Sequence, residues 1–181
     1  MITDIIAQII GIFGMAANIW SYQQKSKKGV IALQLCGSIL FTVNFLLLGA
    51  MTGAMLNCVN FALNIVFLNK EKTRADHVAW TVLFCSLYVA AYVMTFTVFK
   101  VEPSVPKLVL EFLPLVGAFL TIASYKMSGA AAIRKLSLIR SPLWLVYDSF
   151  VPSIGGVICE VISIISIITG IIRFDLKKKN S

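Results

Sequence analysis

The sequence is poor in charged residues and in the patterns that catalytic and metal sites need. Only 13% of its 181 residues are charged, against about a quarter in an ordinary soluble domain. Histidine occurs once, at position 77, and the four cysteines lie singly, without the spacing of a zinc site or a disulfide framework. No phosphate-binding loop or nucleophile motif is present. We therefore expect no enzyme activity, no metal site and no cofactor.

Long apolar stretches take the place of the missing charge. Hydrophobic residues make up 59% of the chain, and the runs 30–50 and 79–99 contain no Asp, Glu, Lys or Arg. About twenty helical residues cross the roughly 30 Å of bilayer hydrocarbon, and a helix satisfies its own backbone polar groups there. The sequence therefore predicts an all-α integral membrane protein in contact with the lipid bilayer.

Charged loops and turn residues divide the apolar sequence into seven predicted spans. With the N-terminus outside, all but two of the sixteen Lys and Arg residues fall on the inner side, the exceptions being Lys100 and Lys107. The net charge of +8 then reflects membrane topology rather than binding of nucleic acid, and the C-terminus is predicted to be cytoplasmic. The predicted spans cover residues 5–22, 29–49, 52–69, 79–99, 107–125, 134–149 and 153–173. Tight turns are predicted at Gly49–Gly53 and across the Asp148–Gly156 stretch.

An internal repeat relates the first three predicted spans to the last three. When the sequence is shifted by 103 residues, Gly14 falls on Gly117 and Tyr22 falls on Tyr125. Because three spans invert the chain, one added span returns the second triplet to the orientation of the first. The sequence thus predicts a 3+1+3 arrangement of two parallel triple-helix bundles joined by a linker helix. The predicted units are bundle one at 1–75, the linker helix at 76–105, bundle two at 106–175 and a basic tail at 176–181.

This layout resembles the SWEET and PQ-loop superfamily. Within that superfamily, the chain is most similar to the YgjV family of bacterial inner-membrane proteins, and the likeness covers nearly the whole chain. The carrying motifs include Leu113-Pro-Leu-Val-Gly117, Trp144-Leu-Val-Tyr147, Ser153-Ile-Gly-Gly156 and Ile171-Ile-Arg-Phe174. The Pro-Gln pair that the resemblance implies for the first helix of each bundle is absent, which bears on the alternating-access mechanism and not on the fold.

Polar residues inside the apolar spans indicate where solute could bind, because a buried polar group needs a partner or water. Asn57, Asn60 and Asn64 share one face of the third span. Glu160, taken as the only carboxylate well inside a span, is the repeat partner of Asn57. Two interpretations stay open: hydrogen bonds that join helices, and a hydrated cavity.

Aromatic residues accompany both members of this pair. Phe41 and Trp144 each precede the matched polar residue by sixteen positions, which places all four at similar depth. SWEET-like proteins combine an aromatic residue with Asn in a similar way. Arg140 either reaches the cytoplasmic surface or serves as a charge partner of Glu160 or of an anionic solute. The predicted substrate-binding residues are Asn57, Glu160, Phe41, Trp144 and Asn60, with Arg140 as the charge partner.

Two functions fit these patterns. The first is a SWEET-like transporter or facilitator that moves a small polar solute through a central cavity between the bundles. The alternative is a non-transporting structural, regulatory or receptor-type membrane protein, since fold does not fix function. Homo-oligomer formation is left open, and the resemblance implies a location in the bacterial inner membrane.

Overall fold

The computed structural model describes residues 2–151 and 154–176, and over these residues the chain is helical without β-strands. The last long helix continues as a π-helical segment, Ile171–Leu176. The helices are α1 Ile2–Ser21, α2 Lys27–Leu47, α3 Met51–Leu68, α4 Lys70–Thr73, α5 Val78–Thr97, α6 Val105–Lys126, α7 Gly129–Phe150 and α8 Ile154–Gly170.

Caps and glycines fix several helix ends. The Ser26 side chain accepts a hydrogen bond from the backbone N–H of Gly29 at the start of α2, and His77 caps α5 in the same way through Ala79. Gly49, in the turn after α2, has φ of 73°, a left-handed conformation that glycine adopts without strain. Apart from the single turn of α4, the helices have 17 to 22 residues, long enough to fill most of a bilayer.

Among the residues that the structure describes, five helical segments are long and apolar enough to cross a membrane: α2, α3, α5, α6 and the continuous segment Gly156–Leu176. The apolar part of α1, Ile5–Ser21, is slightly shorter, and α7 is long but carries four charged residues. The outward faces carry large exposed apolar side chains such as Phe13, Trp20 and Ile165. The expectation of an all-helical membrane protein is confirmed.

Helix α7 differs from the predicted sixth span, which was too short. It begins at Gly129 and ends at Phe150, so Arg134 lies a full turn inside it and Asp148, expected in a turn, is helical and 3% exposed. The three alanines that follow Gly129 favour helix. Three of its charged residues, Arg134, Arg140 and Asp148, find partners or a cavity in the protein interior, whereas Lys135 is exposed.

Within the described residues, six long helices form a closed ring. The first half (α1–α3) and the second half (α6–α8) each pack in chain order, and two seams join them, α3 against α6 and α8 against α1. Helix α5 packs against α3 and α6, and α2 approaches α7 across the ring. Under the predicted repeat offset of 103 residues, α1 corresponds to α6 and α3 to α8, so the two seams join corresponding helices.

The basic end of the ring is defined by the turns after α1 and α6 together with residues 171–176. Lys27 Nζ donates to the carbonyl oxygens of Tyr125 and Met127, and Arg134 donates to the carbonyl oxygen of Gln24. These bonds bring both turns to the same end. The opposite end carries the turn between α2 and α3 and the turn after α7.

Candidate functional site

A cavity of about 40 Å³ lies at the centre of the ring, enough for a few water molecules. All six ring helices contribute to its wall. Polar side chains thus line the cavity, while large apolar side chains are exposed on the outward faces of the helices. The lining residues are Asn18, Gln34, Ser38, Phe41, Phe45, Asn57, Asn60, Asn64, Thr121, Tyr125, Arg140, Trp144, Asp148 and Glu160.

The structure brings all the predicted site residues into this one wall. Asn57, Asn60 and Phe41 come from the first half, and Glu160, Trp144 and Arg140 come from the second half. The predicted residues thus share one cavity. Whether a solute binds there is taken up below.

The asparagines of α3 also bond to the helices around them. Asn60 Oδ1 accepts a hydrogen bond of 2.6 Å from the Tyr88 hydroxyl on α5. Asn64 Nδ2 donates to Ser38 Oγ on α2 at 2.9 Å. Asn57 Nδ2 donates within its own helix to the carbonyl oxygen of Gly53. Asn60 and Asn64 therefore form hydrogen bonds that join helices, and all three asparagines also line the cavity. The structure contains contacts of both kinds.

An aromatic cluster lies on the side of the cavity toward the opposite end. The rings of Phe45 and Trp144 stack with centroids 6.2 Å apart, and the Tyr147 ring lies 6.4 Å from Phe45. The Tyr147 hydroxyl accepts a hydrogen bond of 3.2 Å from the backbone N–H of Gly53. The cluster joins α2 and α3 of the first half to α7 of the second half.

Two repeat-matched tyrosines cross between the halves toward the basic end. The Tyr22 hydroxyl accepts a hydrogen bond of 2.7 Å from Arg140 Nη2. The Tyr125 hydroxyl lies 2.5 Å from both Gln34 Oε1 and Asn64 Oδ1. Both tyrosines are essentially fully buried. Each one ties its own half to the other half, so together they close the cavity toward the basic end.

Charged groups in the wall come only from the second half. Arg140 Nη1 donates to Thr121 Oγ1 at 3.2 Å, while its Nε has no hydrogen-bond partner. Asp148 Oδ1 and Glu160 Oε2 are also without partners, although Asp148 is 3% and Glu160 is 9% exposed. No ion pair within 4 Å joins Arg140 to either of these two carboxylates. Buried carboxyl oxygens in this situation need a proton, water or a cation.

The prediction that Glu160 is the only carboxylate well inside a span was wrong. Asp148 lies in α7 and lines the same cavity, and Glu111 lies in α6, with a buried oxygen, outside the cavity wall. Asp148 was missed because it stands near the end of an apolar run and was assigned to the turn. Its spacing was informative: Arg140, Trp144 and Asp148 follow at intervals of four and share one helix face.

Comparison with a protein-family model places the chain in a family. No curated protein and no solved structure is significantly similar to it. Residues 5–178 match the family model Imp-YgjV, described as a bacterial inner membrane protein. Because the match spans nearly the whole sequence, the chain belongs to the YgjV family of bacterial inner-membrane proteins.

Proposed function

We propose that this protein is a transporter or facilitator that moves a small polar solute through the central cavity. The observation that carries the proposal is the cavity itself, which unites polar side chains from all six ring helices. Asp148 and Glu160 are buried there with unpartnered oxygens. Burying such groups costs free energy, and intramembrane ionisable residues commonly mark solute or ion pathways.

The proposal treats α1, α2, α3, α5, α6, α7 and α8 as seven spans in a SWEET-like 3+1+3 arrangement. Helix α7 crosses the bilayer although it carries four charges, because three of them are turned inward: Arg134 is 2% exposed, and Arg140 and Asp148 line the cavity. The fourth, Lys135, is exposed and lies near the basic end of the helix. The equal packing order of the halves supports parallel repeats related by an axis along the membrane normal. Helix α5 then serves as the linker.

Passage of a solute would require the two ends of the cavity to open in turn. Tyr22 and Tyr125 hold the halves together toward the basic end, and the Phe45–Trp144–Tyr147 cluster holds them at the other. Since every one of these contacts joins one half to the other, tilting the halves can break one set and keep the other. Pro114 and Pro142 provide bending points inside α6 and α7.

Flux into liposomes tests the proposal. Purified protein is reconstituted, and the uptake of radiolabelled glucose, uridine, alanine and ethylammonium is compared with that of protein-free liposomes. We expect at least one solute to equilibrate faster with protein. Glu160→Leu should slow that flux at least tenfold, and Asn57→Leu should also impair it. Ile165→Leu, on the outward face of the same helix α8, is the matched control and should leave the flux unchanged.

The alternative is a structural, regulatory or receptor-type protein, which the helix-joining bonds of Asn60 and Asn64 and the small cavity favour. It predicts no protein-dependent flux of any solute, with loss of stability as the only effect of the substitutions. A Glu160→Leu protein that is stable, correctly inserted and as fast as the parent would also overturn the cavity as the solute path.

The proposed orientation places the N-terminus in the periplasm and the basic end in the cytoplasm, in accord with the distribution of Lys and Arg. A reporter active only in the periplasm should work when fused after Gly49, Lys100 or Val151. It should be inactive after Lys72 or Lys126. Activity on the wrong side at any one of these sites contradicts the seven-span topology.

A further inference from the structure

The unpartnered atoms of the cavity wall are mainly hydrogen-bond acceptors. Asp148 Oδ1 and Glu160 Oε2 have no partner, and both side chains are more than nine-tenths buried. Asn57 donates its Nδ2 to Gly53, which leaves its Oδ1 as a third acceptor. A solute that satisfies these groups must bring several N–H or O–H donors.

The one cation of the wall is already engaged. Both terminal nitrogens of Arg140 donate within the protein, to Tyr22 and to Thr121, and only Nε is left. A carboxylate or phosphate solute would normally be held by the paired terminal nitrogens of a free guanidinium. With one guanidinium against two carboxyl groups, the wall also carries an excess of acidic groups.

Trp144 lines the same cavity wall as the two carboxyl groups. Asp148 is two helical turns, about 12 Å, from Arg140 along α7, with Trp144 midway. Glu160 and Trp144 each lie six residues from the helix ends that meet at the turn after α7, so they share a depth. The face of a tryptophan ring attracts cations, more strongly when water is excluded.

We infer that the central cavity selects small primary ammonium compounds over neutral and anionic solutes of the same size. An ammonium group would supply the N–H donors that the oxygens of Asp148 and Glu160 lack, in a cavity that Asn57 and Trp144 also line. The cavity volume of about 40 Å³ admits only a few non-hydrogen atoms before the walls must move. The inference deepens the proposed function, because it names the solute class for the same cavity.

Binding of matched probes tests this selectivity directly. Ethylammonium chloride, ethanol and sodium acetate share a two-carbon skeleton and differ in charge. The protein contains three tryptophans, so Trp20→Phe combined with Trp80→Phe leaves Trp144 as the only one. In detergent at constant ionic strength, ethylammonium should change the Trp144 fluorescence in a saturable way. Ethanol and acetate should bind at least tenfold more weakly.

Near-isosteric variants identify the carboxyl groups involved. In the same background, Asp148→Asn and Glu160→Gln should each weaken ethylammonium binding at least tenfold. Glu111→Gln is the matched control, because Glu111 also has a buried carboxyl oxygen in a long helix but lies outside the cavity wall, and its affinity should stay at the parental value. Size-exclusion chromatography verifies that each variant is folded.

Three results would overturn the selectivity: equal binding of acetate or ethanol, unchanged affinity in both cavity variants, or no saturable response to ethylammonium. Failure of the selectivity and failure of transport can be told apart. Flux of glucose or alanine without ethylammonium binding would support the transporter proposal and contradict the preference for ammonium compounds. Ethylammonium binding without flux of any tested solute would support the ammonium site and contradict the transporter proposal.

Discussion

The two halves of the ring share one packing order but have different interiors. The first half lines the cavity with neutral amides, hydroxyl groups and phenylalanines, while the second half supplies every charged group. The contrast recurs at matched positions. The pairs are Ile31 and Arg134, Gly37 and Arg140, Phe45 and Asp148, and Asn57 and Glu160. The two halves therefore share one order of helix contacts, while only one of them lines the cavity with charge.

The spacing around Gly37 shows how the neutral half excludes a charge. A Cβ atom at Gly37 would lie 2.8 Å from Asn18 Oδ1, so the amide of Asn18 fills the space next to this glycine. At the matched position, Arg140 extends its side chain toward Thr121, the repeat partner of Asn18. An arginine at Gly37 would therefore require the Asn18 amide to move, whereas the second half accommodates Arg140 beside Thr121.

The largest effect is expected where the second half buries a charge outside the cavity. Arg134 is 2% exposed and donates from Nε to Asp175 Oδ2 at 2.9 Å, from Nη2 to the other oxygen of Asp175, and to the carbonyl oxygen of Gln24. Arg134→Ile installs the residue of the first half, Ile31, and leaves Asp175 without its partner. The free energy of unfolding should fall by about 3–5 kcal/mol.

Unfolding by detergent titration measures this loss, and Ile31→Val, at about 0.5–1.5 kcal/mol, is the control in the other half. Adding Asp175→Asn to Arg134→Ile should recover part of the stability, because no unpaired carboxylate then remains. If Arg134→Ile were as stable as the parent, the ion pair between Arg134 and Asp175 would not be needed for stability. The two halves would then be more alike than their sequences indicate.

The long helices could be predicted from the sequence because the backbone N–H and C=O groups of an apolar run must be hydrogen-bonded in lipid, and a helix achieves this within the run itself. The ends of α2, α3 and α5 agree with the predicted spans to within about two residues, well inside the usual boundary error. Asn57 and Glu160, which both line the cavity, could be paired from the sequence because aligning the two repeats needs no knowledge of packing.

Partners distant in sequence could not be predicted. Arg134 meets Asp175 at a separation of 41 residues, and Arg140 meets Tyr22 at a separation of 118. Hydropathy treats a buried, paired arginine and a loop arginine alike, so α7 was predicted too short and Asp148 was placed in a turn. Only packing reveals that these charges face the interior.

The crossed tyrosines should show an intermediate difference between the halves. Tyr22→Phe removes the partner of a charged Arg140 nitrogen and should cost about 1.5–3 kcal/mol, whereas Tyr125→Phe removes bonds to neutral amides and should cost about 0.5–1.5 kcal/mol. Both values come from the same unfolding titration. Equal costs, or a larger cost for Tyr125→Phe, would contradict the view that the charged partner makes the Tyr22 bond the stronger of the two.

The smallest difference is expected at the matched glycines that face the matched aromatics. A Cβ atom at Gly14 would lie 3.2 Å from the Phe41 ring, which can shift by a few tenths of an ångström. A Cβ atom at Gly117 would lie 2.9 Å from Trp144 Nε1 and 3.2 Å from Arg140 Cγ, so one of these side chains must move. Trp144 is backed by Phe45, and Arg140 is held by Tyr22.

Gly117→Ala should therefore destabilise the protein by about 1–3 kcal/mol. Gly14→Ala should stay within about 1 kcal/mol of the parent, because alanine favours helix and offsets the mild contact. A second measurement sharpens the comparison: a displaced Trp144 should weaken ethylammonium binding in Gly117→Ala and leave it unchanged in Gly14→Ala. If Gly14→Ala were the more damaging change, the tighter packing would belong to the first half. In that case the charged residues of the second half would lie where the helices pack less tightly. The close contacts of Gly117 with Trp144 and Arg140 argue against this.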